Sequence, residues 1–378
     1  MKKAIQNIEP VTDETRVDVA GQWKLMWWRF RKHKLALGSG VVVFLIYMVA
    51  AFAEFLAPYS SGSYFAECKN QPPQLLRFVR TAEDGRKVWG PFVYGYSTKV
   101  NPASLRRDFA EDQSNIIPVK FFGKGEPYKL WGLFPASRHL ITPADYRQPM
   151  YLWGGDSMGR DVTSRVIYGT RISMSIGLIG VVISLFLGIL LGGISGYYGG
   201  PIDNLIQRLT EFLRSIPTIP LWMGFAAAIP LSWPPLRVYF AITLIIAFIQ
   251  WTGLARVVRG KFFALKTEDF VTAARLDGCG ELRIILHHMV PSFVSHIIAS
   301  VTLSIPQMIL SETSLSFLGV GLRPPVVSWG VLLQEAQNIR SISACPWLLF
   351  FPGVSVVIAV LALNFLGDGL RDAADPYN

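Results

Sequence analysis

Residues 172–198 read ISMSIGLIGVVISLFLGILLGGISGYY, without one charged side chain. Crossing the hydrocarbon core of a bilayer takes about 20 apolar residues in an α-helix, because no water is present there to satisfy an open backbone. This run meets that length, and outward from it the rest of the chain reads the same way. Residues 35–57 carry only Glu54, which sits close to an interface where a solvated end is expected. Residues 216–230 are uncharged but short and rich in proline, and must borrow flanking residues to span. Residues 238–255 are uncharged, 289–311 hold His296 as their one ionisable group, and 346–367 close the set. Six spans are expected, making an all-α polytopic membrane protein. The first run follows a charged 34-residue stretch and exceeds the ~7–15 apolar residues of a signal peptide, so it reads as an anchoring helix.

Composition agrees. Of 378 residues, 51% are hydrophobic and 16% charged, with mean hydropathy +0.36; a soluble domain carries about 25% charge. Disordered, collagen-like and soluble disulfide-scaffold classes are excluded. The net charge of +10 invites a nucleic-acid reading, but the excess is divided. Residues 1–34 hold +4, residues 58–171 hold +6, and the remainder is neutral. Lys24, Arg29, Arg31, Lys32 and Lys34 crowd the entry to the first span and place that end in the cytoplasm. Alternation then puts 58–171 outside, 256–288 inside with its six Lys and Arg, 323–345 outside and the C-terminus inside. Trp23, Trp27, Trp28 and Trp347 suit the interfacial belt.

The stretch 58–154 is an extracytoplasmic insertion between the first two spans. Its Gly/Pro punctuation and aromatic-rich segments 88–96 and 120–134 favour short strands and turns, so a β-rich or mixed α/β domain is expected. Its positive charge, at Arg77, Arg80, Arg106 and Arg107 among others, would suit an acidic soluble partner. Cys68 and Cys345 both fall on the outer side, where an oxidising compartment would permit a disulfide between them; two separate thiols are the alternative.

The inside segment 268–291 reads as two short helices. Glu268 and Asp269 suit a helix N-terminus. Ala273 and Ala274 offer a close-approach surface, and Gly278 supplies a turn that a β-carbon would resist. This segment resembles the Glu-Ala-Ala loop of permease subunits in binding-protein-dependent ABC importers. Residues 155–175 (GDSMGRDVTSRVIYGTRISMS), 196–203 (GYYGGPID), 312–319 (ETSLSFLG) and 367–376 (GDGLRDAADP) narrow the likeness to the dipeptide/oligopeptide permease family, C-type subunit. It is close over 155–378 and loose over 1–57. Two departures stand out. Thr272 occupies the place of the family's usual Glu, and 58–154 is far longer than the family's first outer loop.

The resemblance implies the type I ABC importer permease fold, with 155–378 as the core, 35–57 as the first span and 256–288 as the coupling loop. It implies a bacterial inner-membrane location and four partners in one bilayer-embedded machine: a second homologous permease, two ATP-binding subunits and an extracytoplasmic binding protein, with peptides as cargo. Coupling to the ATPases falls to Glu268, Asp269, Phe270, Thr272, Ala273, Ala274 and Gly278. Glu312 and Trp251 are candidates for the gate or path, although Glu312 also suits a structural role pinning the turn at 317–319. ATP and Mg would bind the partner ATPases and no cofactor this chain. In keeping with that, the nearest P-loop candidate, Gly253 to Gly260-Lys261-Phe262, has the wrong spacing and lacks a hydroxyl after Lys261. His287 and His288 are adjacent, which is poor metal-ligand spacing on a helix, and His296 reads as a hydrogen-bonding residue between helices. Relatives importing oligosaccharides or chelated nickel, a stand-alone secondary transporter and an anchored docking protein are the competing readings. No internal inverted repeat of the secondary-transporter kind is found.

Overall fold

The computed structural model describes residues 22–81, 87–100, 107–337 and 343–374. Residues 1–21 of the charged N-terminal stretch, Arg106 and the end of the 367–376 motif lie outside the described residues. Helix α1 (Gln22–Lys32) precedes α2 (Lys34–Ala51). Phe30 of α1 packs with Ala36 and Ala373, holding α1 against the far end of the chain, while Trp23 and Trp27 stay exposed. The long helix α3 (Val162–Tyr198) begins at Asp161, whose carboxylate accepts from the backbone N–H of Thr163 and Ser164 at 3.2 and 2.8 Å. That is the capping a helix start requires. Gly199, at φ +68°, ends it. After α3 come α4 (Gly200–Ser215), α5 (Thr218–Ala227), α6 (Pro235–Leu265), α7 (Asp269–Leu276), α8 (Val294–Phe317), α9 (Trp329–Glu335) and α10 (Trp347–Ala374).

Helices α2, α3, α6, α8 and α10 are long and apolar enough to cross a membrane. The expected third span is not one such helix. Its apolar part is α5, ten residues long, and Ile216 adopts an extended conformation before Pro217. Proline lacks the backbone donor that would carry α4 on into α5.

Helices α3 and α6 run side by side in the same direction. Tyr239 donates to Ser175 Oγ at 2.9 Å, Ser184 to the Ala247 carbonyl at 3.0 Å, and Gly192 faces Ala255. A β-carbon on Gly192 would stand 2.4 Å from the Ala255 carbonyl oxygen; small residues let helices approach closely in lipid, where packing rather than water drives association. The α4–α5 pair runs back along α6. Asp203 meets Arg259, Leu213 packs with Trp251 and Ala255, and Trp222 and Ala226 join Tyr239, Ile242 and Ile246.

The insertion between α2 and α3 is built of strands. Strands β1 (Arg77–Thr81), β2 (Lys87–Val100), β3 (Arg107–Phe121) and β6 (Ile141–Pro143) form an antiparallel sheet in that order; β4 (Lys124–Leu130) and β5 (Phe134–Arg138) form a separate hairpin. Val93, Ile117, Val119 and Met150 make its small core. Two expectations change here. Glu54 is not a solvated end; it is buried and paired with both terminal nitrogens of Arg171, each at 2.5 Å. Cys68 and Cys345 are not bonded to each other. Cys68 is buried among Tyr59 and Tyr151, Cys345 within the core near Leu348, and the Gly154–Gly155 backbone lies between the Cys68 carbonyl and Trp347. Burial pushes the Cys68 thiol up to about 12. Of the basic residues offered to an acidic partner, Arg77 is paired with Glu111 at 2.8 Å, and Arg107 donates to the Ala66 and Glu67 carbonyls.

Candidate functional site: the coupling loop and the membrane cavity

The eight residues of α7 form because the Glu268 carbonyl accepts from the N–H of both Val271 and Thr272 at 3.1 Å. The Glu268 side chain itself makes no cap, while Asp269 places a negative charge in the first turn. Gly278 terminates the helix at φ +75°. No atom lies within 4 Å of the β-carbon it lacks, so conformation rather than space requires glycine there.

The faces of α7 sort by position. Val271 and Ala274, three residues apart, are buried with Phe262, Ile284, Ile285 and Met289. Phe270, Thr272 and Ala273 are exposed, and so is Leu276, at 84%. The expected contact set therefore divides. Phe270, Thr272, Ala273 and Gly278 are available to another protein, whereas Ala274 seats the loop on its own bundle. Leu276 and Leu282 add exposed apolar surface that sequence reasoning passed over; the helical spacing of Val271 and Ala274 was the signal for which face turned inward. Arg275 and Lys266 lie over the Tyr197 ring at 5.8 and 5.9 Å. Next to the loop, Arg259 grips both Asp203 oxygens at 2.6 Å, and Asp203 also accepts from Ser195. This clamp ties the 196–203 motif to α6.

Glu312 is completely buried. Its carboxylate accepts from Ser328 Oγ at 2.7 Å, Ser316 Oγ at 2.8 Å and Ser173 Oγ at 3.4 Å, joining α8 to α3 and to the start of α9. Ser328 Oγ accepts in turn from the Val331 N–H. A second knot lies at the entry to α3. There Arg165, itself buried, bonds Asp156 at 2.7 Å and Glu335 at 2.5 and 2.9 Å, with Arg160 joining both acids. Its long-range partner, Glu335, gave no local sequence signal.

Between α4–α5, α6 and α8 lies a cavity of about 650 Å³. Arg214, Gln250 and Gln307 are among its polar lining residues, with Trp222, Ile219 and Leu310 among its apolar ones. Trp251 does not line it. At 1% exposed, it packs behind the wall with Leu213 and Ala255. Among the described residues, no group of three His, Cys, Asp or Glu side chains is arranged to hold a metal.

Residues 168–377 match the family of binding-protein-dependent transport system inner membrane components, and residues 21–73 match the N-terminal transmembrane domain of oligopeptide transport permease C. The oligopeptide transport system permease protein OppC of Haemophilus influenzae is 38% identical over 238 residues, covering 63% of this chain and 74% of its own. The glutathione transport system permease protein GsiD of Escherichia coli O157:H7 is 31% identical over 375 residues, 99% of this chain and 96% of its own. Among solved structures, the inward-facing MetNI methionine ABC transporter aligns with a TM-score of 0.43 at 18% identity, over 56% of this chain and 96% of that one. The chain belongs to the binding-protein-dependent family of inner-membrane permeases, in the branch of dipeptide and oligopeptide C-type subunits.

Proposed function

We propose that this permease forms half of the translocation path of a peptide importer and receives its motive force through α7. The supporting observation is the division of α7 itself. Val271 and Ala274 root it in the bundle, while Phe270, Ala273 and Leu276 face outward. A short helix rooted on one side and apolar on the other transmits a push from a docked protein into α6 and α8. Two ATP-binding subunits, where ATP and Mg reside, supply that push. A second permease completes the path, and an extracytoplasmic binding protein delivers cargo. Shifting such an equilibrium from 1:99 to 99:1 takes about 5.5 kcal/mol of differential contact, here shared between two loops.

Six crossings fit this role. Because α3 and α6 point the same way, the connection between them has to return through the thickness that α3 traverses; α4 and α5 together do so as one broken helix. With α7 and the C-terminus on the cytoplasmic side, the sheet of β1, β2, β3 and β6 lies outside, facing the binding protein. The presence of peptide, dipeptide and glutathione permeases among the relatives supports small peptides as cargo.

The test is Leu276→Asp in the assembled importer. Peptide-stimulated ATPase activity should fall by at least tenfold, with thermal stability within about 0.5 kcal/mol of wild type, as for a surface substitution. Full stimulation in that variant would remove α7 from the coupling path.

A further inference from the structure

The cavity between α4–α5, α6 and α8 has a one-sided chemistry. Among the described residues, Arg214 is the sole charged one lining it, and no acidic side chain does. Gln250, Gln307 and Trp222 also line it. Among the described residues, the side chains of Arg214, Gln250 and Gln307 make no hydrogen bond or ion pair, and the buried indole N–H of Trp222 is likewise unpartnered. Of the hydroxyls lining it, Ser311 donates to the Gln307 carbonyl at 2.7 Å and Thr252 to that of Ile249 at 2.9 Å, while those of Thr218 and Ser314 add two further donors. The open groups are thus mostly donors gathered around one cation. Gly253 lies directly beside the guanidinium, where a β-carbon would stand 3.9 Å from Nη1, in ordinary van der Waals contact. Gln307 sits near the middle of α8. Ionisable groups at such depth face a water path or a partner rather than lipid.

We propose that Arg214, assisted by Gln250, Gln307 and Trp222, reads a carboxylate of the cargo as it passes, and that for a peptide this is the C-terminal carboxylate. A guanidinium matches a carboxylate with two parallel hydrogen bonds. A lone cation with neutral donors binds weakly enough to release, as conduction requires. The proposal rests on the peptide-import reading above.

The experiment is uptake by the assembled importer in proteoliposomes, with its binding protein, of one tripeptide offered as the free acid and as the C-terminal amide. Wild type, Arg214→Lys and Arg214→Gln are compared. The binding protein's own preference enters every measurement equally and cancels between variants. The acid-to-amide uptake ratio should fall by roughly tenfold in Arg214→Gln and be largely kept in Arg214→Lys. An unchanged ratio overturns the proposal, and so does equal loss of both cargoes with loss of the second permease from the complex, which would make Arg214 an inter-subunit ion-pair residue. A wild-type importer that moves neither peptide overturns the peptide reading instead, and this proposal with it.

A second, independent observation concerns the tip of the β4–β5 hairpin, Trp131-Gly132-Leu133. The Trp131 indole donates to the carbonyl of Ala51, the last residue of the membrane-spanning α2, at 2.7 Å. Leu133 and Phe134 beside it are 73% and 59% exposed. Exposed Val41, Phe44 and Leu45 continue the apolar surface down α2, and Lys124, Lys129 and Arg138 are exposed on the hairpin above. We infer that this tip is seated in the lipid interface beside α2, Trp131 and Phe134 at headgroup depth and the basic residues toward phosphates. A nitroxide on Leu133→Cys, with Cys279→Ser, in nanodisc-held complex should collide with oxygen far more than with a water-soluble nickel chelate, against Lys99→Cys as the water-facing control. Nickel accessibility equal to the control would overturn the inference, as would shielding from both reagents, which signals a protein neighbour.

Discussion

Glu312 shows how a single side chain can mislead and inform at once. A carboxylate in an apolar run suggests a path residue, yet three serine hydroxyls from three parts of the chain converge on it. Removing one partner of a buried polar knot leaves the others unsatisfied. Glu312→Ala should therefore cost about 2–4 kcal/mol and Glu312→Gln, which keeps an acceptor, roughly half as much. Thermal unfolding in detergent reads the difference, and equal effects would dissolve the knot. Cys68 makes the second residue-scale prediction. Its thiol, held up at about 12 by burial, exceeds the ~8.5 of a free cysteine. The folded state thus favours the neutral thiol, and this contribution to stability fades as pH rises from about 8.5 toward about 12. Maleimide at pH 7.5 should label Cys279 and spare Cys68 until the protein unfolds; prompt labelling of Cys68 would contradict its burial.

At the scale of elements, the uncharged runs made α2, α3, α6, α8 and α10 legible, because hydrocarbon excludes charge over a fixed thickness. Of the α4–α5 pair, only the apolar α5 part was legible, as the short run 216–230 that must borrow flanking residues to span. Asp203, Arg208, Glu211 and Arg214 make α4 read as a polar loop, and only its run alongside α6 shows the direction it takes. Likewise Glu54 looked solvated because Arg171, its partner, lies on α3, far along the chain. The helix α7 was legible as a short helix ahead of Gly278, but which of its alanines turns inward depends on the seat formed by Phe262 and Ile284. The α3–α6 contact gives the prediction that belongs here. Gly192→Leu drives a side chain into the Ala255 backbone and should abolish well-folded protein on size exclusion. Gly260→Ala, on the same α6 with open space around it, should be silent. A Gly192→Leu protein of normal yield and profile would argue against the close parallel packing.

For the molecule as a whole, the +10 charge resolves into +4 over residues 1–34, +6 over residues 58–171 and a neutral remainder that holds most of the apolar bundle. The sheet of the insertion was legible as strands from its punctuation, but not in topology, since β3 pairs with β6 across the intervening β4–β5 hairpin. What the bundle lacks in isolation is equally instructive: α7 is rooted but faces outward, and the donor-lined cavity is open. The proposed function uses both surfaces, α7 for a docked ATP-binding subunit and the cavity for cargo. The most direct measurement is the composition and activity of the complex that an affinity-tagged version of this chain brings out of its native membrane. The account predicts two ATP-binding subunits and one further permease per copy, with ATP hydrolysis raised by peptide-loaded binding protein. A stable lone chain that moves peptide without them would contradict it.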